Sequence, residues 1–172
     1  MVCCFPAAQA RLEIKLTRAV DAALPIAVVP FDGDPTLPTS AMTITQVIQN
    51  DLKNSGQFRV IDPGVLDQQP HFSGAVDASA WKHKGANDVL VGRVSKVGLS
   101  RYKVSIELVD LYAKDSGASP VLLSQSFQAK APDLRGLAHH ISDAVYEKLT
   151  GVKGVFSTKI AYVSVEQTQK RS

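Results

Sequence analysis

Four histidines, His71, His83, His139 and His140, are the residues of this chain best suited to bind a metal or move a proton. Their placement argues against both roles. His139 and His140 are adjacent in a helical pattern, so their rings point about 100° apart and do not converge on one ion. His83 sits between Lys82 and Lys84, a setting that disfavours a second positive charge. Asp32-Gly33-Asp34 has the start of a calcium-loop spacing, but the later alternating acids and distal Glu are missing. Asp and Gly there, and Asp62-Pro63-Gly64, read as turn formers. Gly85 and Gly92 are too far apart to cradle a phosphate. No G-x-S-x-G or H-E-x-x-H pattern occurs. The two cysteines, Cys3 and Cys4, are adjacent, which strains any bridge between them. The sequence therefore offers no nucleophile, general base, metal or cofactor constellation. It points away from an enzyme and from a small-molecule substrate.

The bulk properties agree with a binding or structural role. Hydrophobic residues make up 45% and charged residues 20% of the 172, as in an ordinary globular fold. A net charge of +3 is weak and scattered. Nucleic-acid binding draws on a dense basic face that neutralises several phosphates together, so no nucleic acid is expected. No stretch approaches the roughly 20 apolar residues of a membrane span, so no membrane insertion is expected.

The first ten residues, Met1 to Ala10, carry no charged side chain and end in Ala8-Gln9-Ala10. This is the small-x-small pattern that a signal peptidase cuts after. Residues 1–10 are read as the remnant of a secretory signal, with Ala8 and Ala10 marking the cleavage site. Leu12, Ile14 and Leu16 then alternate with Glu13, Lys15 and Thr17. That pattern makes a short strand, or an extended arm able to become one.

The remaining elements follow from periodicity. Pro25 to Phe31 is a short apolar run suited to a strand buried on both faces. Asp32 to Pro35 must turn. Ile44, Val47, Ile48 and Leu52 define a helix capped by Thr39 or Ser40, with Gln46, Gln49, Asn50 and Lys53 outward and Ser55-Gly56 as the stop. Phe58 to Ile61 is a brief strand. Residues 64–76 form a loop or one irregular turn. Asp77 caps a short helix through Trp81, a core anchor, to Lys84. Asp88–Val97 and Tyr102–Leu111 form a hairpin across Gly98 to Ser100, and Val121–Ala129 extends it. Pro132-Asp133 opens the last helix, with Leu134, Leu137, Ala138, Ile141, Val145 and Leu149 as its buried stripe and Gly151 as its end. Strand–helix–strand implies a parallel pair; three consecutive strands imply a meander. The predicted fold is α/β (α+β): a mixed sheet with two main helices on one face.

Several stretches together resemble the TolB family of the Tol-Pal system. They are PIAVVPF (25–31), VIQNDLKNSGQFRVID (47–62), Trp81 followed by GANDVLVGRV (85–94), and SDAVYEKLTGVKGVFSTKIAYVS (142–164). The last is the most specific, because helix end, Gly-x-x-Gly and strand keep one order and spacing. The resemblance runs from Arg11 to Val165.

The resemblance implies a periplasmic, non-enzymatic protein whose N-terminal domain is anticodon-binding-domain-like and precedes a six-bladed β-propeller. It implies TolA as partner of the first mature residues, and Pal as partner mainly of the propeller. The system maintains outer-membrane integrity and invagination during division. By this likeness, Arg11, Leu12, Glu13, Ile14, Lys15, Leu16 and Thr17 are the TolA-binding arm, and 11–150 is the TolB N-terminal domain. Residues 151–172 are then a linker, Gly151 to Gly154, and the first strand of a truncated propeller. That strand, from Thr158 to Val165, is expected to be poorly packed, with Ile160, Tyr162 or Val163 exposed. The alternative is another envelope α/β module of the secretion or peptidoglycan-synthase-activator lipoprotein type, which shares an AVVPF-like strand.

Overall fold

The computed structural model describes residues 23–33, 40–65, 69–113 and 120–158. The signal remnant, the arm Arg11–Thr17 and the segment after Thr158 lie outside these residues, as does Thr39. The described chain contains strands β1 (Leu24–Val28), β2 (Asp32–Gly33), β3 (Phe58–Ile61), β4 (Asp88–Val97), β5 (Arg101–Asp110) and β6 (Val121–Lys130). Its α-helices are α1 (Ser40–Asn54), α2 (Ala78–His83) and α3 (Leu134–Thr150).

The strands form one mixed sheet in the order β3-β1-β4-β5-β6, with β2 also beside β4. β1 pairs in parallel with β3 and with β4, and α1 makes the crossover between β1 and β3. The β4–β5 and β5–β6 pairs are antiparallel. The register Val97↔Arg101 closes the hairpin over three residues, and Gly98 takes the positive φ of 74° that this tight reversal needs.

Hydrophobic cores lie on both faces of the sheet. On one face α1 and α3 bury Ile44, Ile48, Leu52, Ala138, Ile141 and Val145 against Ile26, Val28, Leu90, Val104, Ile106 and Leu108. On the other, α2 sets Trp81 into a smaller cluster with Ala27, Val29, Val89, Val91 and Leu111. This explains why β4 is buried continuously from Asp88 to Gly92 and half-exposed beyond. The first half is covered twice and the second half once. β5 keeps the alternation of a strand with one dry face.

Three expectations are corrected. β1 ends at Val28 rather than Phe31, because Pro30 has no N–H to continue the ladder. Asp32–Gly33 is not a turn but the short strand β2, parallel to Arg93–Val94. β1 and β2 are thus successive pieces along one side of β4, separated by a break. Gln49 does not point outward. Its Nε2 donates to the Val28 carbonyl at 3.0 Å, and the Thr45 hydroxyl oxygen accepts from Phe31 N–H at 3.0 Å. The break leaves backbone groups without a ladder partner, and α1 satisfies them from its inner face. The Phe31 side chain turns into the core over Gly92, where a Cβ would lie 2.7 Å from the ring.

The other boundaries agree with the sequence. Asp77 Oδ1 accepts from the N–H groups of Ser79 and Ala80, capping α2. Gly151 ends α3 in the left-handed conformation, φ 72°. Residues 63–65 and 73–75 are single 3-10 turns in the predicted irregular region.

Candidate functional site

Two features mark the β3 edge of the sheet. β3 is hydrogen-bonded to β1 on one side and, among the described residues, to no strand on the other. The strand therefore presents backbone donors and acceptors at an edge. Beside it runs an open cleft of about 710 Å³ between β3 and the last turns of α1. Phe58, Val60, Ile61 and Pro63 line its apolar side, and Gln49, Asn50 and Lys53 its polar side. Ala23, the first described residue, also lines it. Leu24 N–H donates to the Gln57 carbonyl at 2.9 Å, and Arg59 Nη2 donates to the Gly85 carbonyl at 3.2 Å.

The predicted site residues Arg11–Thr17, Ala8 and Ala10 lie outside the described residues. Ala23, the first described residue, lies by the β3 edge, which pairs with no other described strand on its outer side, and by the cleft. An arm with alternating Leu12, Ile14 and Leu16 suits pairing by strand addition, in which backbone bonds give affinity and alternate side chains give specificity.

His139 Nδ1 lies 2.8 Å from Asp51 Oδ2, tying α3 to α1. His140 instead packs edge-on against Phe127, with ring centroids 5.6 Å apart. Among the described residues no group of three or more His, Cys, Asp or Glu side chains is placed to hold a metal. Asp88 and Asp110 are cross-strand partners in the β4–β5 register. Burial of Asp88, and then the nearby Asp110 charge, raise the Asp88 carboxyl from 3.8 to about 7. This pair sits beside Asn87, whose N–H and C=O link Pro25 to Leu111.

Sequence reading missed one site entirely. Asp143, buried on α3, accepts from Phe156 N–H at 2.7 Å, from Ser157 N–H at 3.1 Å and from Ser157 Oγ at 2.5 Å. Gly154 packs on it so closely that a Cβ would stand 2.6 Å from the Asp143 Cα. The Phe156 ring meets Tyr146 edge-on at 5.6 Å, and Tyr146 meets Phe58 at 5.8 Å. The segment 151–158 is thus folded onto α3 rather than left as a free tether. No sequence signal marked it, because Asp143 lies on the face of α3 opposite the Leu134–Leu149 stripe and reads as a solvated carboxylate.

A mixed sheet with two long helices on one face is an α+β architecture. The family described as the TolB amino-terminal domain matches residues 12–116, and the chain belongs to it. It is 46% identical over 167 residues to the Tol-Pal system protein TolB of Coxiella burnetii, covering 97% of this chain and 37% of that protein. With TolB of Legionella pneumophila strain Corby it shares 43% identity over 162 residues, covering 94% and 35%. The crystal structure of TolB from Acinetobacter baumannii superposes with a TM-score of 0.60 at 26% identity, covering 82% of this chain and 32% of that one. The chain spans little more than a third of the curated relatives' length. No described helix is long and apolar enough to cross a membrane.

Proposed function

We propose that this domain is a periplasmic, non-enzymatic interaction module of the Tol-Pal system. Its arm, Arg11–Thr17, binds TolA by strand addition. Pal is engaged mainly by a propeller of the kind the longer relatives carry. The coupled contacts serve outer-membrane integrity and invagination during division. One observation carries the reading: family membership spans nearly the whole chain, 97% of it against the Coxiella protein named for the Tol-Pal system. The physical support is the alternating arm, entering beside an edge strand and an apolar cleft that can hold it between encounters.

The test is a pull-down of the full chain with the C-terminal domain of TolA, with and without residues 11–17. Retention by the full chain and loss on deletion are the expected results. Equal retention of both forms overturns the arm assignment. No retention of either overturns the TolA assignment.

A further inference from the structure

The face of the sheet opposite α1 and α3 is covered by α2 only over β1 and the start of β4. Further along, β4, β5 and β6 leave a hollow of about 290 Å³, at the small end of ligand-binding clefts of about 300–1,000 Å³. Its floor is the cross-strand row Arg93, Ser105 and Ser126, with Glu107 and Ser124 in a neighbouring row. His71 and Phe72, from the loop before α2, form its wall.

Three observations distinguish this hollow from ordinary polar surface. Among the described residues, His71 Nδ1 is buried with no hydrogen-bond partner, which is costly unless something supplies one. Phe72 is 52% exposed and belongs to neither core cluster. Its ring lies against Gly74, where a Cβ would stand 3.2 Å from it. The loop is also fixed to the sheet, because the Glu107 carboxylate accepts from Ser73 N–H at 2.6 Å. The wall is therefore held in place over the floor.

The chemistry of the lining selects the ligand. Arg93 is already paired with Asp32 at 3.3 Å, and Glu107 adds a negative charge, so an anion gains little here. The hydroxyls of Ser105 and Ser126, 2.8 Å apart, together with Ser124, disfavour an apolar ligand. Hydroxyls, a carboxylate and a guanidinium around an exposed ring suit a molecule with many neutral donors and acceptors and an apolar C–H face. We propose that this hollow binds a neutral saccharide unit, stacked on Phe72 and hydrogen-bonded to the Ser105–Ser126 row, Glu107 and His71.

The test is a titration of the full chain with N,N′-diacetylchitobiose, followed through backbone amide shifts. Saturable shifts centred on 71–74, 105–107 and 124–126 are expected, with dissociation in the millimolar range, where weak sites of few contacts fall. Phe72→Ala removes an exposed ring and should weaken binding about tenfold, equivalent to about 1.4 kcal/mol. Ser126→Ala, a second exposed change, should weaken it severalfold. Absence of saturable shifts at these residues overturns the proposal, as does a Phe72→Ala variant that binds like the parent. A glutamate-rich peptide saturating the same amides more tightly than the sugar also overturns it.

Discussion

Replacing Asp143 with Ala removes one carboxylate that receives three hydrogen bonds from Phe156 and Ser157. Hydrogen bonds to a charged group contribute roughly 1.5–3 kcal/mol each when buried. Phe156 is only half-buried and Ser157 is exposed, so water recovers part of that. Against this, the exit segment loses its anchor, and the Phe156 ring loses a fixed position on Tyr146, an edge contact of about 0.5–1.5 kcal/mol. The net cost is about 2–3 kcal/mol. For a domain of this length, 2–4 °C accompany each kcal/mol, so the melting temperature should fall by roughly 4–12 °C. Asp143→Asn should fare little better than Ala, because its NH₂ meets donors where a carboxylate oxygen accepted. Urea melts followed by circular dichroism measure the stability, and amide exchange at Phe156 and Ser157 reports the anchor. The double variant Asp143→Ala/Ser157→Ala should cost less than the sum of its parts. A loss below about 0.5 kcal/mol with unchanged exchange at 156 and 157 would refute the reasoning.

Gly92→Ala places a methyl 2.7–2.8 Å from the Phe31 ring; overpacking of about 1–3 kcal/mol is expected in urea melts. Trp81→Ala empties the core beneath α2 and should cost about 3–5 kcal/mol, with exchange rising first in Ala78–His83. Asp88 gives a pH dependence. Its folded carboxyl, raised to about 7 from 3.8, holds its proton more tightly than the unfolded chain does. Its contribution is full below 3.8 and is lost as pH rises to about 7. Raising the pH from 4 to 8 should therefore lower stability by up to roughly 4 kcal/mol from this group, and Asp88→Asn should flatten that slope.

Local signals were legible where neighbours in sequence decide the structure. The β4–β5 hairpin declared itself through alternation around Gly98, α2 through its Asp77 cap, and the end of α3 through Gly151. What stayed hidden depends on partners far along the chain. Thr45 and Gln49 look like surface polar residues of α1 until Pro30 breaks β1 and leaves backbone groups for them to satisfy. Asp32–Gly33 reads as a turn because a two-residue strand has no periodicity; only its pairing with β4 defines it. Asp143 looks like a solvated residue on the outer face of α3 until residues 154–157 fold back to bury it. Likewise His71 and Phe72 read as loop, and the serines of β5 and β6 as solvated, until the sheet register gathers them in one hollow. The family likeness was legible from whole segments, and the arm's proposed role rests on that likeness, with the alternation of Leu12, Ile14 and Leu16 as its physical support.

Calorimetric titration of the full chain with the C-terminal domain of TolA tests the central claim most directly, using Ile14→Asp in the arm as the comparison. A charge at Ile14 removes one of the three apolar anchors of the arm. The expected result is binding by the parent chain and at least tenfold weaker binding by the variant, with both chains folded by circular dichroism. Equal affinity of the two chains would contradict the account.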